Sequence, residues 1–459
     1  MTTTRGPQAR TQVPPRPQSQ AAQRAKAAQQ ALAAQARAAR TPPMPTPPRA
    51  PRSRPAVAVV PVRRIFAAAQ TNYFLLLGVT LFLVTFGLVM VLSSSTIESF
   101  NDNEGFFGRF ARQGLFAVVG IPLMLLASRM PPQFWKRWAW PALVFGGALQ
   151  MLVFVPGIGL GYGGNNNWIR VGSFTAQPSE FVKIALIVWV AWILTSKQDL
   201  LSDWKHVALP IAPVAGLAIL LVLVGNDLGT ASVMLIIVLG CIYFAGVRLR
   251  FLFTAVVGVA ILAGLFALTS SSRTERISAW LNGCTAADYS GYCWQPEHAN
   301  WALAAGGLFG KGLGNSVAKW NWLPEASSDY IFAIIGEELG LIGATVVLAL
   351  FVVLTIAFVR IIRSTSDSFA RTTTAGVMVW VIGQAMVNIA VVLGVLPVLG
   401  VPLPLISAGG SALIATLLGI GVVLSFARSA PQTPRTAAVA QTPAERSRML
   451  AAQRVRSRG

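Results

Sequence analysis

Residues 72–93, NYFLLLGVTLFLVTFGLVMVLS, decide the class of fold. This stretch carries no charged side chain, and about 20 apolar residues are enough for an α-helix to cross a bilayer. Nine more apolar runs follow it, separated by short polar breaks. The sequence therefore predicts an all-α, polytopic membrane protein of ten transmembrane helices, over residues 72–93, 110–128, 138–156, 179–196, 207–225, 229–246, 251–270, 332–359, 374–393 and 408–427.

The composition excludes an ordinary water-soluble protein. Of the 459 residues, 54% are apolar and 12% are charged, whereas about 25% of the residues of a soluble domain are charged. The net charge of +21 comes mostly from the two ends, because residues 1–70 contain 12 basic and no acidic residues and residues 428–459 contain seven basic and one acidic. Charge confined to the tails does not indicate binding to nucleic acid. Three cysteines and two histidines argue against a disulfide scaffold or a metal centre.

The two ends are predicted to be basic cytoplasmic tails. Residues 1–70 are rich in Ala, Gln, Pro and Arg and have too few large apolar residues to order a fold, so we expect disorder. Within them, residues 21–39 could become helical against an anionic membrane or a partner, and residues 429–459 form the second tail. An even number of spans puts both tails on one side. That side is cytoplasmic by the positive-inside rule, since these residues then lie in inner loops: Arg129, Lys136, Arg137, Lys197, Lys205, Arg248, Arg250, Arg360, Arg363 and Arg371.

A long segment, residues 271–331, interrupts the pattern between the seventh and eighth spans. A loop of this length in a compact protein is usually functional or disordered. Five tryptophans argue against disorder and suggest half-helices at the membrane interface: Trp280, Trp294, Trp301, Trp320 and Trp322. We therefore expect a structured loop on the extracytoplasmic side.

Several ionisable residues lie at predicted helix ends, where they are candidates for function. Glu180 and Lys183, three apart in QPSEFVK, share a helix face; they form either a structural ion pair or a lysine held ready for an anionic substrate. Asp227 in NDLGT is placed to cap the helix that follows it. Glu337 and Glu338 in IIGEELG open the eighth span, where the helix dipole favours carboxylates, and we assign these three acids structural roles.

The densest group of polar residues lies in 306–340, GGLFGKGLGNSVAKWNWLPEASSDYIFAIIGEELG. Its glycines allow tight turns or a close approach to a ligand. Lys311 and Lys319 offer positive charge, and Glu325 and Asp329 offer carboxylates at the boundary between water and membrane. The GLFGKG within it is not a phosphate-binding P-loop, because no Ser or Thr follows the lysine.

Two irregular stretches lie at the same predicted boundary. Residues 394–413, GVLPVLGVPLPLISAGGSAL, contain three prolines and cannot form a continuous helix; Ser407 within them is a candidate substrate contact. Gln384 and Asn388, four apart on the ninth span, face the same region and either contact a ligand or hydrogen-bond between helices. The glycine-rich stretch 157–164 is interpreted as an outer turn.

Taken together, QPSEFVK, NDLGT, GGLFGKGLGNS, LPEASSDYIFAIIGEELG, Gln384 with Asn388, and the 394–413 stretch resemble the SEDS family (shape, elongation, division and sporulation) over roughly residues 72–428. The pattern is more similar to its division members than to its elongation members, and the long tails resemble actinobacterial forms. The resemblance implies a ten-span peptidoglycan glycosyltransferase that polymerises lipid II. It makes Asp329 the essential outer-loop acid.

This chain differs from the family pattern at two places. The family often has Arg-Arg where this chain has Asn166 and Asn167, and a Tyr where this chain has Ala408. No role for those family residues transfers to these positions.

The implied reaction needs a base near the acceptor hydroxyl and positive charge near the diphosphate of the donor. Asp329, with its pKa raised by partial desolvation, is the expected base. For the diphosphate the candidates are Lys319, Lys183 and Arg112, in that order. A divalent cation, Mg²⁺ or Mn²⁺, could share this role, although the sequence offers no dedicated cage. The other expected substrate-binding residues are Glu180, Glu325, Lys311, Gln384, Asn388 and Ser407.

The chain has no acyl-transfer site for crosslinking glycan strands. Two Ser-x-x-Lys matches, at 202–205 and 316–319, lack the Ser-Asp-Asn and Lys-Thr-Gly elements of a transpeptidase. The resemblance implies a class B penicillin-binding transpeptidase as partner, in the bacterial plasma membrane at the division septum. We expect this partner to contact the eighth and ninth spans and the adjoining loop. Other division proteins would bind the tails.

Two other function classes remain open on the sequence: a flippase that moves lipid II without making a bond, and a division scaffold without catalysis. An outer carboxylate favours catalysis, because a flippase needs no base on one side only. In the oxidising outer compartment we expect Cys284 and Cys293 to form a disulfide, and Cys241 to stay reduced inside its span.

Overall fold

The computed structural model describes residues 20–38, 62–162, 165–172, 174–267, 271–283 and 291–429. The chain divides into two compact units, residues 1–60 and 61–459, which are described separately.

In the first unit, α1 spans Gln20–Ala38. This helix covers most of the stretch 21–39 that we considered able to become helical, and the disorder expected for residues 1–70 stays a prediction. Ala, Gln, Lys and Arg dominate it, and all four have high helix propensity. Its described side chains are exposed, so α1 has no packed core of its own.

The second unit contains twelve described helices. They are α2 (Val62–Asn101), α3 (Gly108–Ala127), α4 (Pro132–Met151), α5 (Pro178–Ser196), α6 (Trp204–Val224), α7 (Leu228–Phe244), α8 (Leu249–Ala267), α9 (Ser271–Asn282), α10 (Trp294–Gly306), α11 (Ile331–Ser364), α12 (Ser368–Val392) and α13 (Gly410–Ser429). The ten predicted spans correspond one to one to α2–α8 and α11–α13. By length and apolar composition, seven described helices could cross a membrane: α2, α3, α5, α6, α11, α12 and α13. Of the others, α7 and α8 are apolar but shorter.

A small sheet lies between α4 and α5, where we expected an outer turn. It consists of β1 (Gly159–Tyr162), β2 (Asn165–Val171) and β3 (Phe174–Ala176), antiparallel and in sequence order. The backbone N–H of Asn166 also donates to the carbonyl of Gly225 at 2.8 Å, which joins the sheet to the end of α6. The predicted all-α membrane fold is confirmed as a mostly helical one, and the described residues add one three-stranded sheet to it.

Three helices form the centre of the helical unit. In α5, α12 and α13, 72%, 67% and 78% of the most apolar window is buried, against 22% in α6. A helix that is apolar all round is expected at such a central place. Gly421 lets α13 approach α3 closely, because a Cβ there would lie 2.6 Å from the carbonyl oxygen of Met124.

A kink divides α11 at Gly340, whose φ of 69° and ψ of −167° are not helical. The loop after α10 passes against the kink, since the N–H of Lys311 donates to the carbonyl of Glu337 at 3.0 Å and that of Gly312 to Glu338 at 2.9 Å. A Cβ on Gly340 would lie 2.4 Å from the nitrogen of Gly310. Only glycine satisfies both the backbone angle and this contact.

Candidate active site

Asp329 lies in the turn that leads into α11, two residues before its first helical residue. Its side chain is partly buried, and no described residue donates a hydrogen bond or forms an ion pair with its carboxylate. Burial, and to a smaller extent the nearby carboxylates of Glu325 and Asp227, together raise the pKa of Asp329 to about 7. At neutral pH this acid is therefore poised to accept a proton.

Asn388 on α12 holds the backbone at Asp329. Its Nδ2 donates to the carbonyl oxygen of Asp329 at 2.7 Å and to that of Val401 at 2.7 Å. One buried amide thus ties the turn before α11 to the irregular segment 394–409. In that segment, Gly400 has a φ of 67°, and a Cβ on it would lie 3.5 Å from Oδ2 of Asp329. The carboxylate therefore lies directly beside the Gly400 backbone.

Ser407 and Gln113 make a second tie between the same segments. Oγ of Ser407 donates to the carbonyl of Ser328 at 2.5 Å. Nε2 of Gln113, on α3, donates to the carbonyl of Ser407 at 3.1 Å, and its Oε1 accepts from the N–H of Gly409 at 3.1 Å. We expected Ser407 and Asn388 to bind substrate. In this structure the hydroxyl of Ser407 and the side-chain amide of Asn388 donate hydrogen bonds that position the backbone.

Lys183 and Glu180 form a buried ion pair on α5, with Nζ and Oε2 2.9 Å apart and side chains 1% and 3% exposed. Nζ also donates to Oε1 of Gln384 at 3.0 Å and lies 4.9 Å from the ring centre of Trp380. Nε2 of Gln384 in turn donates to the carbonyl of Pro402 at 2.9 Å. These contacts fit the interpretation of Glu180 and Lys183 as a structural ion pair. The side-chain oxygen and nitrogen of Gln384 both form hydrogen bonds within the protein.

Asp227 caps α7, as its position predicted. Its Oδ1 accepts from the N–H of Thr230 at 2.8 Å and its Oδ2 from Nε2 of Gln177 at 2.9 Å. Burial raises the pKa of Asp227, and the hydrogen bonds from Thr230 oppose this effect. The first turn of α7 packs on the 394–409 segment, because a Cβ on Gly229 would lie 2.2 Å from the carbonyl oxygen of Leu399. Asp227 and Asp329 thus flank neighbouring residues of this segment.

Glu337 and Glu338 hold the loop before the kink of α11. Glu337 accepts from Nζ of Lys311 at 2.8 Å and from Oγ of Ser316 at 2.6 Å, and Glu338 pairs with Lys319 at 3.4 Å. Both acids lie inside α11 and not at its start, which corrects the prediction that they face the helix dipole. Lys319 is only 6% exposed. The structure therefore places both lysines in ion pairs with α11; Lys319 is buried there, whereas Lys311 is exposed.

The remaining predicted residues are also engaged locally. Arg112 pairs with Glu104. Glu325, with a φ of 57°, accepts the N–H of Tyr330 on its carbonyl at 3.1 Å and the hydroxyl of Ser328 on its carboxylate. Glu325 therefore shapes the turn that carries Asp329, in addition to its electrostatic effect.

Sequence reasoning missed the network around Arg109. Its guanidinium pairs with Glu98 at 2.6 Å and with Asp102 at 2.7 Å, and Nη1 donates to Oγ of Ser327 at 3.4 Å. This contact joins the end of α2 and the start of α3 to a residue two positions before Asp329. An arginine at the start of a span was the only available signal, and its acidic partners lie at the end of α2 and in the turn that follows it.

A family model described as a cell cycle protein, FtsW/RodA/SpoVE, matches residues 73–432. The chain belongs to the FtsW/RodA/SpoVE family. This match confirms the SEDS resemblance, and the helical membrane fold agrees with it.

Relatives of this FtsW/RodA/SpoVE chain include a probable peptidoglycan glycosyltransferase and a sporulation protein. The probable peptidoglycan glycosyltransferase FtsW of Mycobacterium tuberculosis is 40% identical over 363 residues, which cover 79% of this chain and 69% of the relative. Stage V sporulation protein E of Bacillus subtilis is 38% identical over 77% of this chain and 96% of its own. The resemblance to division members and to actinobacterial forms agrees with the mycobacterial relative.

Two solved structures share the fold of this FtsW/RodA/SpoVE chain. A chain in a structure described as the structural coordination of polymerization and crosslinking by a peptidoglycan synthase complex superposes with a TM-score of 0.64 at 25% identity, over 77% of this chain and 96% of that one. RodA of Thermus thermophilus superposes with a TM-score of 0.58 at 26% identity, over 78% and 98%.

Two further predictions concern the cysteines and the binding of a metal ion. Cys293 is disulfide-bonded and Cys241 is a buried free thiol. Cys284 lies outside the described residues, so its pairing with Cys293 stays a prediction. Among the described residues, no group of three His, Cys, Asp or Glu is arranged to hold a metal ion. The carboxylates around Asp329 therefore do not make a protein-built metal cage.

Proposed function

We propose that this FtsW/RodA/SpoVE protein is a peptidoglycan glycosyltransferase that polymerises lipid II, with Asp329 as the general base. The observation that carries the proposal is the state of Asp329: a partly buried carboxylate, unbonded by any described residue, with a pKa of about 7. A general base works best when its pKa lies near the working pH. The family relatives named as glycosyltransferases support the reaction class.

The proposed reaction joins two lipid-linked sugars. Asp329 takes the proton of the acceptor 4-hydroxyl, whose oxygen forms a bond to the anomeric carbon of the donor while the bond from that carbon to the diphosphate breaks. The electron pair leaves with the polyprenyl diphosphate, which needs no proton, so one carboxylate is sufficient. Attack opposite the leaving group inverts the anomeric centre. Mg²⁺ or Mn²⁺ is proposed only as a counter-ion for the diphosphate, and no step is assigned to it.

An apolar cavity of about 880 Å³ offers a surface to the lipid chain of the substrate. It lies between α6, α7 and α8 and includes Leu228, the residue after Asp227. Each buried CH₂ of a lipid chain contributes about 0.8 kcal/mol to its binding. The substrate would thus keep its chain in the membrane while its reacting sugar lies near Asp329.

The same proposal covers place and partner. We infer a plasma-membrane protein with both tails cytoplasmic that acts at the division septum with a class B penicillin-binding transpeptidase, docked on α11 and α12. The complex described for the structural relative, which couples polymerization and crosslinking, supports such a pairing. Recruitment of other division proteins by the basic tails belongs to this proposal as well.

The test is polymerisation of lipid II by purified protein in liposomes, with and without the transpeptidase and with EDTA followed by Mg²⁺ or Mn²⁺. Asp329→Asn and Asp329→Ala should reduce polymer formation by about 10² to 10⁴. The control is Asp199→Asn, an exposed acid in the α5–α6 turn. Near-normal polymer from either Asp329 variant would exclude the base. Lipid II movement across the bilayer without any polymer would favour a flippase, and neither activity would favour a scaffold.

A further inference from the structure

The outer helix α9 packs beside the candidate active site. Nε1 of Trp280, on α9, donates to the carbonyl oxygen of Gly394 at 3.1 Å. Gly394 begins the irregular segment 394–409, which contains Gly400 beside the carboxylate of Asp329. Arg276 lies four residues before Trp280, on the same face of α9. The hydrogen bond of Trp280 holds α9 against Gly394, and Arg276 lies one helical turn from this contact.

Tyr330 directly follows Asp329 in the chain. Its side chain is 1% exposed, and its hydroxyl has no hydrogen-bond partner among the described residues. Burial raises the pKa of Tyr330; Asp329 raises it further, and Arg276 lowers it. Both ionised groups thus lie close enough to act on one phenol. A buried hydroxyl without a hydrogen-bond partner destabilises the folded protein, and a ligand oxygen that accepts its hydrogen bond would remove this cost.

Arg276 differs from the other cations considered for the anionic substrate. Lys183, Lys311, Lys319 and Arg112 each form an ion pair with a carboxylate. In the described part of the chain, Arg276 has no carboxylate partner; its guanidinium is exposed and lies 5.8 Å from the ring centre of Tyr292. An unpaired, exposed guanidinium keeps its donors available for an anion.

We propose that Arg276 binds the diphosphate of the donor lipid, with the hydroxyl of Tyr330 as a second donor to the same group. The inference rests on the proposed function, which supplies the diphosphate. Guanidinium groups bind phosphate oxygens through two parallel hydrogen bonds, so Arg276 also fixes the orientation of the leaving group. It stabilises the charge that develops on the diphosphate as the glycosidic bond forms.

The experiment measures equilibrium binding of a polyprenyl diphosphate in detergent to full-length protein that carries Asp329→Asn. Adding Arg276→Gln should weaken binding at least about tenfold, as expected for losing a hydrogen bond to a charged group. Arg276→Lys should recover part of the loss, because lysine keeps the charge but not the paired donors. The matched control is Arg250→Gln. The guanidinium of Arg250 also lies over a neighbouring ring, 4.7 Å from the ring centre of Phe251, but this residue is in the first turn of α8, the end farther along the chain from α9.

A polyprenyl monophosphate separates diphosphate recognition from binding of the lipid chain, and its affinity should change less. Unchanged diphosphate affinity in Arg276→Gln, with unfolding like that of the control, would overturn the assignment. An equal loss for both lipids would also overturn it, because it would indicate a distorted site. Binding does not require catalysis, so the two proposals are tested separately. An active Asp329→Asn protein would exclude Asp329 as the base, whereas the assignment of Arg276 depends only on the binding measurements.

Discussion

The pKa of Asp329 gives a quantitative prediction for the pH dependence of polymerisation. If the ionised carboxylate is the base, kcat/KM follows its ionised fraction, which for a pKa of about 7 rises from about 9% at pH 6 to about 91% at pH 8. The rate should therefore increase about tenfold over these two pH units and level off above them. An ordinary exposed aspartate, with a pKa of about 3.9, would give a flat profile in this range.

Asp227→Asn is the perturbation that tests the cause. Asparagine caps a helix as well as aspartate does, so the hydrogen bond from the N–H of Thr230 is retained while a negative charge near Asp329 disappears. Asp227 is one of the groups that raise the pKa of Asp329, so the rising limb of the profile should move to lower pH. The variant should consequently be relatively more active than the wild type at pH 6.

The assay is initial-rate polymerisation of lipid II between pH 5 and 9, with thermal unfolding measured at each pH. Asp199→Asn serves again as the control, because this acid lies at the opposite end of α5 and should leave the profile in place. A profile that is flat between pH 6 and 8, or that stays fixed in Asp227→Asn, would refute the reasoning that links burial and charge at Asp329 to its role.

Three further predictions concern stability and access. The folded-state pKa of Asp329, about 7, lies above its ordinary value of 3.8, so stability is lost as the pH rises through this window, and Asp329→Asn should raise the thermal midpoint at pH 8 but not at pH 4. Gly400→Ala and Gly246→Ala, at φ values of 67° and 88°, should each cost about 1–2 kcal/mol of stability, but only Gly400→Ala, whose Cβ reaches Asp329, should also reduce polymerisation. Lys183→Met should lower the unfolding free energy by about 3–5 kcal/mol by leaving Glu180 buried and unpaired, and adding Glu180→Gln should restore most of it. Equal activity losses in both glycine variants, or no rescue in the double variant, would contradict the last two.

The helical part of the fold could be predicted because its signal is local. A run of about 20 apolar residues has one stable state in a bilayer, and all ten predicted spans coincide with helices. The cap at Asp227 was equally local. The sheet at 159–176 was not predictable in the same way, because its strands are rich in Gly and Asn and lack the alternating apolar pattern.

The site was predictable in its residues but not in their contacts. Asn388 and Asp329 are 59 residues apart in the chain, and Gln113 and Ser407 are 294 apart. No periodic pattern in the sequence predicts that the side chain of Asn388 or Gln113 will form a hydrogen bond with the backbone of so distant a residue. Separation along the chain also explains why Lys319 was expected at the substrate: its charge is visible in the sequence, but its pairing with the buried Glu338, 19 residues away, is not.

The side chains that hold the segment 394–409 bond to main-chain atoms, and this has an evolutionary consequence. Gln384 and Asn388 bond the carbonyls of residues 402 and 401, and the N–H of Ala408 donates to the carbonyl of Ser327 at 2.8 Å. Every residue type presents the same carbonyl, and every type except proline the same N–H. Mutations can therefore accumulate along the segment while its path is inherited unchanged, which explains how Ala408 can stand where the family often has Tyr. Related proteins can therefore differ in the side chains of this segment, and so in their preference among wall precursors, while the turn that carries Asp329 keeps its path.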